Sequence, residues 1–171
     1  MFVIHSNTNI LMKRILILAL VALTFASCGP TNNVAKEARK TLKGTWSLNA
    51  ITYNTPGKFD VTLFEDVKAS CLEGSTWRFI PNNNFGNYEI LKGDCNPGKR
   101  YFVWTIPKGD DTTTSYDILL KPTDEKMKST MNNAGFRLNL DYVADDLLQI
   151  KQTVMVDGKP FVITMAFSPI Q

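Results

Sequence analysis

From Thr41 onward, apolar and polar residues alternate in short segments separated by clusters of Gly, Pro, Asn and Asp, the pattern of antiparallel strands. Trp46, Leu48 and Ala50 fall on one face of a first segment, and Trp77 with Phe79 and Tyr88 with Ile90 continue the alternation. Phe102, Trp104 and Ile106 follow, then Tyr116, Ile118 and Leu120. The most regular segment sets Phe136, Leu138, Leu140 and Tyr142 against Arg137, Asn139 and Asp141, one face dry and the other wet. Leu147–Met155 and Phe161–Ser168 are joined through Asp157-Gly158, a pair suited to the positive φ angles of a type I′ hairpin turn. Asn82-Asn83-Asn84, Asn96-Pro97-Gly98 and Lys108-Gly109-Asp110-Asp111 mark further turns, and Thr123 to Asn133 reads as a longer loop. The strands number about eight.

Two short helices interrupt this pattern. Gly29 to Lys40 reads as a tether running into a helical turn, with Asn32 or Asn33 as N-cap and Ala35, Ala38 and Leu42 on its inner face. Lys36, Arg39, Lys40 and Lys43 then form a solvated basic face. Between Phe59 and Val67, the spacing of Leu63 and Val67 behind Asp60 predicts a second helix, placed to close one end of a barrel. The fold expected is all-β, a closed antiparallel up-and-down barrel with a short N-terminal helix, because closure removes the exposed edges of an open sheet. A two-layer sandwich is the competitor. The interior of an eight-stranded barrel is either filled by side chains or holds one small ligand.

The N-terminal region differs in kind. Lys13 and Arg14 precede an apolar run from Ile15 to Phe25, followed by Ala26-Ser27-Cys28. The run is too short for the roughly 20 residues that span a bilayer, and it has the basic, apolar and small-residue sections of a secretory leader. Leu23-Thr24-Phe25-Ala26-Ser27-Cys28 resembles the lipobox of bacterial lipoproteins. That resemblance implies cleavage before Cys28, a thioether-linked diacylglycerol on its sulfur and an acylated N-terminus. Met1 to Leu11 forms a mixed polar extension, and Met12 is the better start for a leader of ordinary length. The expected organisation is a signal peptide over 1–27, a tether over 28–41 and a barrel domain over 42–171. Gly29-Pro30-Thr31-Asn32-Asn33 contains no acid, which for such lipoproteins implies the periplasmic face of an outer membrane.

Removing 27 residues from 171 leaves 144, enough for one core. Of the 19 Lys and Arg, Lys13 and Arg14 lie in the leader, so 17 basic side chains face 16 acidic ones. This balance, without basic residues interleaved among aromatics, argues against a nucleic-acid partner. The single histidine is His5, so the chain after Cys28 has none, which removes histidine-based triads and the commonest metal ligand. With Cys28 acylated, Cys71 and Cys95 remain, an even pair that forms a disulfide in an oxidising compartment. A redox or metal-binding pair is the alternative, but the spacing is not C-x-x-C. No cofactor and no metal are expected.

Leu42-Lys43-Gly44-Thr45-Trp46 resembles the Gly-x-Trp motif that opens the first strand of lipocalins. Cys71-Leu72-Glu73-Gly74-Ser75-Thr76-Trp77-Arg78-Phe79, running on to Gly86-Asn87-Tyr88, resembles the second-strand region of bacterial lipocalin-like lipoproteins. The likeness spans about Leu42 to Ser168. It implies that Gly44 allows close backbone approach and that Trp46 plugs the closed end of the barrel. Lipocalins usually also carry an arginine near the end of the last strand, and Phe161 to Gln171 has none.

Candidate chemistry is sparse. Acid neighbours occur at Glu65/Asp66, Asp110/Asp111, Asp124/Glu125 and Asp145/Asp146. Adjacent residues of a strand point to opposite faces, so no such pair forms a hydrolytic dyad by itself. Trp77, Phe79, Tyr88, Phe102, Trp104, Phe136 and Tyr142 are candidates to line a pocket for an apolar ligand, and core packing is the competing explanation for them. The expected protein is no enzyme. It is either a membrane-anchored barrel that binds or carries a small apolar molecule in the cell envelope, or a filled barrel that meets an envelope protein partner. Interior volume separates the two.

Overall fold

A computed structural model describes residues 33–107 and 116–170. The leader, Cys28, Asn32 and the Lys108–Asp111 turn lie outside the described residues. Helix α1 spans Asn33–Leu42 and leads into strand β1, Gly44–Tyr53. A small hairpin, β2 (Thr62–Leu63) and β3 (Val67–Lys68), is followed by one helical turn, α2 (Ala69–Leu72). Seven strands follow: β4 (Thr76–Ile80), β5 (Phe85–Ile90), β6 (Gly98–Thr105), β7 (Tyr116–Thr123), β8 (Phe136–Val143), β9 (Leu148–Val156) and β10 (Lys159–Pro169). Each pairs antiparallel with the next, and β1 pairs with both β10 and β4. The ring of eight strands is therefore closed, and the barrel prevails over the sandwich.

Alternation puts Leu48, Trp77, Phe79, Phe102, Trp104, Ile118, Leu138 and Met165 inside, all buried. The last hairpin turns through Asp157 and Gly158, both at positive φ, as a tight turn between right-twisted strands requires.

Two strands break step. β1 carries a bulge between Leu48 and Ala50: Leu48 pairs with Phe167, Ala50 with Ala166 and Ile51 with Met165. Paired residues share a face, so the extra residue turns Ala50 outward and brings Ile51 in, contrary to the single face expected for Trp46, Leu48 and Ala50. The Glu73 carboxylate accepts the Ile51 N–H at 2.9 Å, beyond the last residue that β1 pairs with β4. β8 is bulged between Leu140 and Tyr142. Leu140 stays buried, but Tyr142 is 50% exposed and Val143 pairs with the buried Leu148. Tyr142 is thereby removed from the interior face on which strict alternation put it.

The helix expected between Phe59 and Val67 is the β2–β3 hairpin. Leu63 and Val67 are both buried, as the spacing implied, but they face each other as a strand pair. Asp60 pairs with Lys68 at 2.8 Å instead of capping. The helical turn comes later, at α2. Cys71 in α2 is bonded to Cys95 in the β5–β6 connection, with Cα atoms 5.5 Å apart, so the hairpin's base is tied to a barrel turn.

Register sorts the connections between two ends. One end holds the start of β1, Phe79, Trp104 and the end of β10; the other holds the β2–β3 hairpin, the β5–β6 turn, the loop after β7 and the β9–β10 turn. At the first end Leu42 is fully buried, and its carbonyl accepts the Trp46 Nε1–H at 3.0 Å. Arg39, read as part of a solvated face, is half-buried and donates to the Ile106 carbonyl at 3.3 Å. Gly44 has no atom within 4 Å of where a Cβ would stand, so close approach is not its role; its φ of +136° is.

Candidate functional site

The barrel interior is filled from the first end upward by aromatic rings. Trp77 stacks on Tyr88 with centroids 4.6 Å apart and meets Phe102 at 5.7 Å and Phe167 at 5.6 Å. Phe79 packs edge-on against Trp104 at 5.7 Å. The indoles are satisfied: Trp77 Nε1–H donates to Ser75 Oγ at 2.8 Å and Trp104 Nε1–H to the Phe85 carbonyl at 3.0 Å. Trp77, Phe79 and Trp104 are thus core, with no wall on open space.

Above this packing, at the other end, lies a half-open cavity of about 740 Å³. Tyr88, Phe102, Leu120 and Pro122 line it from β5, β6 and β7. Of the aromatics expected to line a pocket, Tyr88 and Phe102 line this cavity. Phe136 is partly buried and stands beside the cavity, its ring 5.4 Å from Phe64. Lys99, Arg100, Tyr101 and Thr123 also line it, as do the hairpin tip, Phe64-Glu65-Asp66, and the loop after β7 with Asp124, Glu125 and Lys126.

The hairpin tip is built against backbone preference. The Asp66 N–H donates to the Leu63 carbonyl at 3.1 Å, and Phe64 and Glu65 between them have φ of +55° and +52°. Two left-handed non-glycine residues in succession cost about 1 kcal/mol or more each. The phenylalanine compensates. Phe64 is 3% exposed, 5.9 Å from Trp77 and 6.1 Å from Tyr88.

Beside it, Asp66 Oδ2 accepts from Tyr88 Oη at 3.1 Å and from Arg100 Nε at 3.0 Å. Arg100 also donates to the Asn96 carbonyl at 3.1 Å. Burial pushes the Tyr88 phenol far above its ordinary range; the Asp66 charge and hydrogen bond add to the rise, and Arg100 opposes it. Tyr88 is therefore a neutral donor at every physiological pH.

The loop after β7 is ordered from within, since Asp124 Oδ1 accepts the N–H groups of Lys126 and Lys128 at 2.9 and 2.8 Å. Thr123, expected to begin that loop, is the last residue of β7. It is buried on the cavity wall, and its hydroxyl has no partner among the described residues. A smaller hollow of about 150 Å³ lies between Tyr53, Phe59 and Glu73. Among the described residues no group of three His, Cys, Asp or Glu side chains is placed to hold a metal ion.

Sequence reasoning missed Phe64, Asp66, Arg100 and Thr123. Glu65/Asp66 and Asp124/Glu125 were visible as acid pairs, and the fold brings both to one cavity. Their oxygens are engaged by Tyr88, Arg100 and loop amides at Asp66 and Asp124, as structural groups are.

A family model described as a lipocalin-like domain matches residues 42–136. A crystal structure of a lipocalin-like protein from Bacteroides uniformis is similar to this chain, with 14% sequence identity and a TM-score of 0.44, covering 76% of this chain and 99% of the other. No curated protein matches. The family model spans more than half of the 171 residues and opens at the Gly-x-Trp segment, and the chain accordingly belongs to the family of lipocalin-like domains.

Proposed function

We propose that this protein is a non-enzymatic, lipid-anchored component of the cell envelope that holds a small apolar molecule at the mouth of its barrel. A lipocalin-like fold is a small-molecule-binding kind of barrel. The observation that carries the reading here is the cavity of about 740 Å³ floored by Tyr88, Phe102, Leu120 and Pro122. Its size suits one small ligand, and its apolar floor suits affinity by burial beneath a rim of charged side chains. Titrating hydrophobic probes into the protein while following tryptophan emission tests it, because Trp77 packs directly on Tyr88 and Phe102. A saturable change is expected. A flat response from fatty acids, sterols and hydrophobic dyes with the protein folded would refute it.

The anchor is supported by the leader ending at Cys28, and the periplasmic face of an outer membrane by the acid-free segment after it. Cys28→Ala should abolish incorporation of labelled palmitate. Protease added to intact cells should leave the domain uncut. The absence of histidine after Cys28 supports a function without acid–base catalysis.

A second reading, an envelope interaction module, is favoured by one observation: the β9–β10 ribbon carries Val154, Met155 and Val156 exposed near its turn. Replacing all three by Ser or Thr should leave ligand titrations unchanged and abolish any envelope crosslink made through that ribbon.

A further inference from the structure

The tip of the β2–β3 hairpin fills the barrel mouth with two different groups. Phe64 places an apolar ring among Trp77, Tyr88 and Phe136 at 5.9, 6.1 and 5.4 Å. Two residues on, Asp66 places an anion between the Tyr88 hydroxyl and the Arg100 guanidinium. The receiving groups belong to β4, β5, β6 and β8; the occupants belong to the hairpin. An aromatic recess and a two-donor anion seat thus adjoin each other on the barrel wall.

The hairpin is a short occupant with a strained tip. Its strands have two residues each, and its two central residues take φ of +55° and +52°. Behind the tip, Leu63 and Val67 are buried, the Ala69 N–H donates to the Val61 carbonyl at 2.8 Å, and an exposed ion pair joins Lys68 to Asp60, so the strain is concentrated at the tip. Short, strained elements of this kind open locally at far lower cost than a barrel unfolds. The disulfide at Cys71 holds the base of the segment and leaves the tip, five or more residues earlier in the chain, untied by covalent means. The open volume begins at the same three tip residues, and Thr123, whose buried hydroxyl has no partner among the described residues, is part of its wall.

We propose that Phe64-Glu65-Asp66 is a built-in surrogate ligand, and that the mouth receives an amphipathic anion whose acidic head replaces Asp66 between Tyr88 and Arg100 while its apolar tail takes the place of Phe64. This rests on the mouth being a small-molecule site and names the class of molecule. A carboxylate accepts from both donors at once with the strength of charge-assisted hydrogen bonds, and an alcohol brings no charge to match the guanidinium. With the tip displaced, Lys99, Arg100 and Lys126 remain on the cavity against Asp124 and Glu125, and Asp124 is already occupied by loop amides. The tip competes with the ligand, so its grip lowers apparent affinity by the fraction of molecules in which the seat is taken.

The test compares decanoate with 1-decanol, titrated by calorimetry into the purified protein and its variants, each checked by thermal melting. Asp66→Asn weakens the surrogate and should tighten decanoate about tenfold, the effect of freeing a seat that is nine-tenths occupied, with decanol changed by less than about twofold. Tyr88→Phe keeps the ring, removes one donor and should weaken decanoate selectively. If Asp66→Asn leaves decanoate unchanged, or moves decanoate and decanol equally, the surrogate is refuted. If Asp66→Asn does not fold, Tyr88→Phe decides by the same contrast. Binding of neither amphiphile to any variant would refute the small-molecule reading itself and this inference with it.

Discussion

The two ends of this barrel are built on opposite principles. At the α1 end the seal is apolar and its buried indoles are paired: Leu42 is fully buried, and its carbonyl takes the Trp46 indole proton. Trp104 is likewise buried and bonded to the Phe85 carbonyl. At the mouth the cover is a two-residue ladder with a left-handed tip, a charged pair between Asp66 and Arg100 and a buried threonine hydroxyl without a partner among the described residues. At the α1 end the conflict is confined to the β4–β5 turn, where Asn84 takes a φ of +50° and its buried side-chain oxygen has no partner among the described residues. At the mouth the strained tip is held by the buried Phe64 ring and by the bonds of Asp66 to Tyr88 and Arg100. A fold places such conflicts where it binds or moves, and the agreement elsewhere supplies the stability that tolerates them.

The comparison yields an ordered set of expected losses. Trp46→Ala should be the most damaging change, removing a large buried ring and leaving the Leu42 carbonyl unpaired, at a cost of about 4 kcal/mol in denaturant unfolding. Serine at both Cys71 and Cys95 should cost about 3 kcal/mol for a closed loop of this length, with the loss falling on the mouth. Phe64→Gly should cost only about 1–2 kcal/mol, below the usual figure for losing a buried phenylalanine, because glycine adopts the left-handed tip without penalty. A loss at Phe64 equal to that at Trp46 would erase the distinction between the ends.

The smallest effect is a pH dependence. The Tyr88 phenol is raised by burial, then by the Asp66 charge and hydrogen bond, above the 10.0 of a free phenol. A raised folded value contributes stability that is complete below pH 10 and lost above it, as the unfolded chain releases a proton that the native state retains. Stability should therefore fall by about 1.4 kcal/mol per pH unit from this group above pH 10. Tyr88→Phe should remove that slope, read as the difference between two alkaline denaturation series.

Much of the barrel was legible because period-two alternation is a local property. The strands at Trp77–Phe79, Tyr88–Ile90 and Phe102–Trp104, the Asp157-Gly158 turn and the Cys71–Cys95 bridge all follow from local pattern or from simple counting. The bulges were not legible. Nothing in Asn49 or Asp141 marks them, since an extra residue is defined only against a partner strand, and this is why Tyr142 faces solvent. The hairpin tip escaped for a different reason: its turn uses Phe64 and Glu65 where Gly or Asn would have signalled one, and Leu63 and Val67 keep a spacing that also fits a helix. The cavity is a volume enclosed by three separate segments, and no segment carries it alone.

The claim that the ends differ in purpose is tested most directly by amide chemical shifts recorded while decanoate is titrated into isotope-labelled protein. The account predicts saturable shifts at Phe64, Tyr88, Arg100, Phe102, Leu120 and Thr123, with Leu42, Trp46 and Ile106 unmoved. Shifts centred on Trp46 and Ile106, or no saturable shift anywhere in the folded protein, would contradict it.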